Sequence, residues 1–160
     1  MQWVVLIAVA VATLDQITKW LVVRFIGSEE SRIVVRGCFD LVNWSNTGAA
    51  WGILKGYNFV LVTASVLALV ALCVFRHTFQ LHRSGSRVAF GLIAGGIVGN
   101  LIDRVRFGHV VDFLYFYIGQ YHWPAFNVAD SGICVGLGLF IILSWRGDRD
   151  ASKANTAAQT

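Results

Sequence analysis

Charge is scarce in this 160-residue chain: 14% of the residues are charged, 56% are hydrophobic, and only one is proline. A soluble domain of this size rarely tolerates so little charge, whereas a small membrane protein requires it. The net charge of +4 includes no run of Lys and Arg on a solvated element, so it does not indicate nucleic-acid binding. It fits juxtamembrane arginines that face anionic lipid. The composition therefore predicts an integral membrane protein.

Sequence signatures of several chemistries are also missing. Cys38, Cys73 and Cys134 are far apart and lack the spacing of a metal site. We expect Cys73 and Cys134, which lie in apolar runs, to be packing residues, and Cys38 to lie in a loop. The chain contains no HExxH, no Walker-type Gly-Lys-Ser/Thr and no G-x-S-x-G around Ser131. We therefore expect no metal site and no cofactor.

The N-terminal apolar stretch, residues 3–14, has the length of a signal-peptide core. No positively charged region precedes it, and no convincing small-residue cleavage site follows it. Polar residues 15–19 are instead followed by more apolar sequence. We interpret this region as a retained helix with polar residues inside it.

Four apolar segments have the length or composition of membrane spans. They cover about residues 3–25, 57–75, 88–104 and 126–145. Small residues that would let helix backbones approach closely lie in the last two segments, at Gly95, Gly96, Gly99, Gly136 and Gly138. We interpret residues 1–146 as one membrane-embedded domain and residues 147–160 as a polar cytoplasmic tail.

Loop charge predicts the orientation. Residues 76–87 carry arginines and no acidic residue, although the opposite loops contain almost as many Lys and Arg residues as this loop and the tail together. An even number of spans returns both termini to one side. We therefore expect both termini and residues 76–87 to face the cytoplasm, which puts Asp103, Asp112 and Asp130 at the outer surface.

The connections predict a small amount of β structure. Residues 32–35 and 38–44 are rich in β-branched and aromatic residues and are bounded by Gly and Asn. Residues 113–123 are aromatic-rich and suit an interfacial belt between the third and fourth helices. The predicted fold is an all-α polytopic membrane protein with four transmembrane helices and a small β-rich cradle on the outer face.

Asp15, Asp103, Asp112 and Asp130 lie in the spans or at their borders, where an ionised carboxylate is costly and hence a functional candidate. Asp130 could instead cap the fourth helix together with Asn127. Two carboxylates within hydrogen-bond reach share a proton, as in aspartic proteases. Asp112 and Asp130, which flank a short connection, are the expected pair.

Five short motifs carry a resemblance to a known family. They are DQITK (15–19), NTGAAW (46–51), GGIVGNLIDR (95–104), GHVVDF (108–113) and FNVAD (126–130). In this order they resemble the motif set of the bacterial lipoprotein signal peptidase (signal peptidase II) family, over about residues 15–131. Trp51 is often Phe in that family, a difference that should leave the chemistry unchanged.

The resemblance implies a metal-independent aspartyl endopeptidase of the bacterial cytoplasmic (inner) membrane. It would remove the signal peptide from diacylglyceryl-modified prolipoproteins just before the lipid-modified Cys, with Asp112 and Asp130 as the catalytic pair. Residues expected to support the site or contact substrate are Asn46, Gly48, Asn100, Asp103, Arg104 and Asn127. Asp15 and Lys19, spaced i,i+4 with the acid first, would stabilise the first helix. Membrane lipid and the cyclic peptide inhibitor globomycin are implied partners, and the chain would be a monomer.

Two other classes stay open at this stage. A small proton-coupled transporter would also place acidic residues in the membrane, but it would typically show repeats and broken helices. A non-enzymatic assembly protein would use Asp–Arg pairs only to hold its helices together. This reading predicts that Asp112→Asn or Asp130→Asn lowers folding or abundance.

Overall fold

The computed structural model describes residues 1–49, 52–79, 81 and 83–157, and it describes the side chains of the last helix through residue 146. Four helices and four strands follow in the order α1 (Gln2–Phe25), β1 (Ser31–Val35), β2 (Phe39–Asn46), α2 (Asn58–Val74), α3 (Ser84–Phe107), β3 (Val110–Ile118), β4 (Tyr121–His122) and α4 (Val128–Ala157).

Three of the helices are long and apolar enough to cross a membrane: α1, α3 and the part of α4 from Val128 to Arg146. Helix α2 is apolar but has 17 residues, or about 25 Å at 1.5 Å per residue, slightly less than a typical hydrocarbon core. Helix α4 continues through Ala157, into the segment predicted as a polar tail. The structure thus agrees with the predicted helical membrane protein in three helices that are long and apolar enough to span a bilayer.

Helix α3 extends beyond the third predicted span, residues 88–104, at both ends. It begins at Ser84, and its first turn is polar. Hydropathy alone therefore did not include this turn in the predicted span. The helix ends at Gly108, which adopts a left-handed φ of 77° and donates its N–H to the carbonyl of Arg104. Glycine takes this conformation without steric cost and commonly terminates helices.

Helix α3 contacts the other three helices, and its glycines allow the closest approaches. A Cβ on Gly95 would lie 2.6 Å from the carbonyl oxygen of Ala8 in α1. A Cβ on Gly96 would overlap the carbonyl oxygen of Ala129 in α4. The predicted small-residue packing is therefore confirmed here, whereas Gly138 has open space beside it.

The strands form one antiparallel sheet in the order β1-β2-β3-β4. Strands β1 and β2 match the two predicted β segments within two residues at each end. Residues 113–123 were predicted only as an aromatic connection, but most of them form β3 and β4. Their rings pack across the sheet, as in the stacked pair Phe39–Phe116 at 4.6 Å between centroids, which favours strand pairing over an irregular loop.

A small apolar cluster joins the sheet to the end of α1. Val22 of α1 and Ile26, which directly follows α1, are buried together with Val111 and Phe113 of β3. Because successive strand residues point to opposite faces, this packing directs the intervening Asp112 to the other face of β3. The sheet thereby fixes the position of Asp112 relative to the helices.

The prediction for Cys38 is confirmed, and the one for the other two cysteines is wrong. Cys38 lies partly buried in the turn between β1 and β2, as expected. Cys73 and Cys134 are exposed on the surfaces of α2 and α4, so the prediction that they pack inside the chain is wrong. In a membrane protein an apolar helix can present apolar residues to lipid, and an apolar sequence context therefore does not require burial within the chain.

Candidate active site

Asp112 accepts hydrogen bonds from two side-chain amides. Asn46 Nδ2 donates to Asp112 Oδ2 at 2.8 Å, and Asn127 Nδ2 donates to Asp112 Oδ1 at 2.8 Å. Asn46 lies at the end of β2, which pairs with β3, and Asn127 lies just before α4. The carboxyl group is buried, with the residue 4% exposed. Both of its oxygens are thus held by neutral donors.

The electrostatic environment favours the protonated form of Asp112. Burial and the nearby charge of Asp130 raise the pKa of Asp112 to about 7, against the lowering effect of the hydrogen bonds from Asn46 and Asn127. Desolvation and a like charge both disfavour ionisation of a carboxyl group. Asp112 can therefore carry a proton close to neutral pH.

Asp130 is the third residue of α4 and makes the hydrogen bonds of a helix cap. Asp130 N donates to Asn127 Oδ1 at 2.9 Å, and Asn127 N donates to Asp130 Oδ2 at 3.3 Å. This reciprocal pair is a form of the capping box. Asn100 of α3 donates from Nδ2 to the other oxygen, Asp130 Oδ1, at 2.7 Å. The cap considered from the sequence is present, and the charge of the same side chain acts on Asp112.

A buried ion cluster connects α1 to α3. Lys19 Nζ lies 2.8 Å from Asp15 Oδ2 and 2.8 Å from Asp103 Oδ2. All three residues are at most 3% exposed. The i,i+4 pair predicted within α1 is therefore confirmed, and it is extended by a carboxylate from α3.

The carboxylates of this cluster also bind backbone groups next to the aspartate pair. Asp15 Oδ1 accepts a hydrogen bond from the N–H of Ala129 at 2.9 Å, one residue before Asp130. Asp103 Oδ2 accepts one from the N–H of Val111 at 3.2 Å, one residue before Asp112. Each carboxylate of the cluster thereby holds the backbone that carries one member of the pair.

Gln16 belongs to the same cluster, but sequence reasoning did not select it as a site residue. Its Nε2 donates to Asp103 Oδ1 at 2.8 Å and to the carbonyl oxygen of Gly99 at 3.2 Å. The available signal was its position between Asp15 and Lys19, as an amide inside an apolar helix. Such a group requires partners when it is buried.

Arg104 and Gly48 bring the loop after β2 close to α3. Arg104 Nη2 donates to the carbonyl oxygen of Gly48 at 3.3 Å, and Gly48 N donates to Asn46 Oδ1 at 2.9 Å. A Cβ on Gly48 would lie 2.9 Å from the carbonyl oxygen of Ile53. This motif therefore needs a glycine for close backbone approach. Its last two residues, 50 and 51, lie outside the described residues.

The predicted site residues thus form one connected group at the junction of α1, α3, β3 and α4. Its donors and acceptors are carboxylates, amides and two cations. Within the described part of the chain, no group of three or more His, Cys, Asp and Glu side chains is arranged to hold a metal ion. Asn127 links the two carboxyl-bearing residues, because it bonds to the Asp112 carboxyl and to the N–H of Asp130.

Comparisons with known proteins agree with the motifs. A family model described as signal peptidase (SPase) II matches residues 7–146. The chain is 50% identical to the lipoprotein signal peptidase of Syntrophotalea carbinolica, over 88% of this chain and 89% of the relative. It is 46% identical to that of Desulforapulum autotrophicum, over 85% and 87%.

A solved structure described as a bacterial membrane enzyme, determined in meso at 2.3 Å resolution, superposes with a TM-score of 0.86 at 34% identity. The match covers 94% of this chain and 92% of the other. A second bacterial membrane enzyme, determined at 1.9 Å resolution, gives a TM-score of 0.75 at 35% identity, with coverages of 89% and 92%. The matches cover nearly the whole length of each protein, and the chain belongs to the signal peptidase II family.

Proposed function

We propose that this protein is an aspartyl endopeptidase that removes the signal peptide from diacylglyceryl-modified prolipoproteins, cleaving just before the lipid-modified Cys. Asp112 and Asp130 are the catalytic pair. The observation that carries the proposal is that a single buried side chain, Asn127, hydrogen-bonds to the carboxylate of Asp112 and to the backbone N–H of Asp130. The names of the relatives support the substrate class.

The chemistry follows from the protonation of the pair. The ionised carboxylate accepts a proton from a water molecule while the water oxygen attacks the scissile carbonyl carbon. The neutral carboxyl group donates its proton to the carbonyl oxygen, giving a tetrahedral diol. When the C–N bond breaks, the nitrogen takes a proton from the neutral carboxyl group and leaves as the free amine of the lipid-modified Cys. The other carboxylate takes a proton from a diol hydroxyl, which gives the carboxylic acid product and restores one proton to the pair. A pKa of about 7 suits Asp112 to the role of proton donor.

The other site residues have supporting roles in this proposal. Asn46, Asn100 and Asn127 orient the two carboxyl groups, and Asp15, Lys19 and Asp103 hold the backbones that carry them. Arg104 and Gly48 position the loop after β2 beside the site, where substrate contacts would be made.

The proposed setting is the cytoplasmic membrane of a bacterium. All four helices span the bilayer, with α2 as the shortest span, in a single domain over residues 1–146. Both termini, with the polar end of α4, are cytoplasmic, and the aspartate pair lies at the outer face. The acyl chains of the substrate can then stay in the bilayer while the scissile bond meets water. The enzyme acts as a monomer without a cofactor.

The pattern of ion pairing separates this proposal from a purely structural role. Among the described residues, ion pairs join Lys19 to Asp15 and to Asp103. Asp112 and Asp130 are instead held by amide groups. Acids that only join helices gain most from a direct cation partner, because an unpaired buried charge is costly. Asp112 and Asp130 lack this arrangement.

The test is a cleavage assay with purified protein and a diacylglyceryl-modified prolipoprotein, following release of the signal peptide. Asp112→Asn and Asp130→Asn should each lower turnover by about a thousandfold or more, while the protein stays folded and inserted. Asp40→Asn is the matched control, because Asp40 is a buried acid of the same sheet that bonds to Tyr117 and not to the pair. Near-native turnover of either pair variant would remove that residue from the proposed site. Folding loss together with activity loss would favour the assembly role.

A further inference from the structure

Lys19 uses all of its hydrogen-bonding capacity inside the protein. An ammonium group has three N–H donors and no acceptor. Two of them are directed to Asp15 Oδ2 and Asp103 Oδ2, and the third is donated to Asn100 Oδ1 at 3.0 Å. The side chain is 4% exposed, so it has little access to solvent.

The third bond has a consequence for the orientation of Asn100. Because Lys19 can only donate, the atom of Asn100 that faces it must be the oxygen. The amide nitrogen must then point the opposite way, where it donates to Asp130 Oδ1 at 2.7 Å. Without the ammonium group, the Asn100 amide could turn over and present its oxygen to the Asp130 carboxylate. Lys19 therefore excludes the orientation that would repel the charged form of Asp130.

We propose that Lys19 is a positioning residue of the aspartate pair: acting through Asn100, it keeps the negative charge on Asp130 and leaves the shared proton on Asp112. This inference rests on the proposed function and adds which member of the pair is charged and which is protonated. The Asp130 carboxylate receives a donor polarised by an ammonium group, together with a backbone N–H at the start of α4, which itself favours negative charge. The Asp112 carboxyl receives two amide donors that have no cation behind them.

The charged and titratable groups around Asp130 come from three elements. They are Asp15 and Lys19 of α1, Asp103 and Arg104 of α3, and Asp112 of β3. Arg104 acts through space on Asp130 and Asp112, and so does Lys19, so neither of these interactions is confined to one member of the pair. Lys19 is the cation that reaches one member through a single intervening side chain.

The experiment measures the pH dependence of kcat with a diacylglyceryl-modified prolipoprotein, for the wild type and for Lys19→Met, Asn100→Ala and the double variant. Each single variant should lower kcat about 10- to 100-fold, as expected when a hydrogen bond to a charged group is lost, with KM unchanged. In each, the acidic limb of the profile should move to higher pH, because the Asp130 anion has lost stabilisation. If Lys19 acts through Asn100, the double variant should be no worse than the more impaired single variant.

Gln16→Leu is the matched control. It removes bonds to Asp15 and Asp103 but none to Asn100, so it should lower thermal stability without moving the acidic limb. Lys19→Met leaves two buried carboxylates unpaired and could fail to fold. Asn100→Ala keeps both ion pairs and then tests the Asn100 step, which the inference requires. A wild-type acidic limb in Asn100→Ala, or multiplied losses in a folded double variant, would overturn the inference. Activity in Asp112→Asn or Asp130→Asn would overturn the proposed function itself.

Discussion

Asn127 and Asp130 exchange two hydrogen bonds across the first turn of α4, with Asp130 N donating to Asn127 Oδ1 at 2.9 Å and Asn127 N donating to Asp130 Oδ2 at 3.3 Å. The Asn127 side chain also donates to Asp112 Oδ1. One helix cap therefore sets the relative position of the two carboxyl groups. The hydrogen bonds that satisfy free N–H groups at the start of α4 therefore also orient the pair.

Asn127→Ala should abolish most of the activity and also destabilise the protein. The loss of the cap costs about 1 kcal/mol, and the Asp112 carboxyl loses one of its two amide donors. Turnover should fall about 10- to 100-fold. The control is Ser131→Ala, since Ser131 donates to the carbonyl of Asn127 in the same turn without touching either carboxylate. Equal activity losses in the two variants would mean that helix stability alone is responsible.

The stability of the protein should depend on pH through Asp112. The folded chain keeps the Asp112 proton up to about pH 7, whereas the unfolded chain releases it near pH 4, the ordinary value. Between these values the folded state binds more protons, so its contribution to stability is lost as the pH rises from about 4 to about 7. Thermal unfolding in detergent at pH 5 and pH 8 measures this. Asp112→Asn should show a smaller decrease in Tm than the wild type, and equal decreases would contradict the prediction.

Gly96→Ala should separate α3 from α4. A Cβ on Gly96 would overlap the carbonyl oxygen of Ala129, a backbone atom next to Asp130, so the helices must move apart. Overpacking of this kind costs about 1–3 kcal/mol, and it should lower both Tm and turnover. Gly138→Ala is the control, because a Cβ there has nothing within 4 Å. The idea fails if Gly96→Ala retains wild-type Tm and turnover.

Cleavage should resist chelators and should be inhibited by globomycin. The resemblance to the lipoprotein signal peptidases implies both properties, and the mechanism proposed for Asp112 and Asp130 uses no metal. The measurement is signal-peptide release in the presence of EDTA, with a zinc-dependent protease as the positive control for chelation. Activity that disappears with EDTA and returns specifically with zinc would contradict the two-aspartate mechanism.

Ser84 should face the cytoplasm. It lies exposed at the start of α3, after the basic segment 76–83. In a variant without native cysteines, Ser84→Cys should react with an impermeant thiol reagent only after the membrane is opened. Ser31→Cys, on exposed strand β1, should react in sealed spheroplasts. The reverse labelling pattern would invert the orientation and put the aspartate pair on the cytoplasmic side.

The sequence by itself determined the membrane class, the approximate positions of the four helices and two of the strands. These features are local, since apolar runs, β-branched residues and glycines act on their own segment of the chain. The i,i+4 pair of Asp15 and Lys19 could be predicted for the same reason. The motifs also selected Asp112 and Asp130 as the expected pair.

Only the tertiary structure decided which groups meet. Asp15 Oδ1 binds the N–H of Ala129, 114 residues away, and no spacing rule predicts such a contact. The strand that carries Asp112 was missed because its aromatic residues line both faces and obscure the alternation that marks a strand. Cys73 and Cys134 were misplaced because hydropathy cannot distinguish a surface facing lipid from one facing another helix. Long-range hydrogen bonds and the choice of buried face depend on how the helices pack, and that packing is a property of the whole chain.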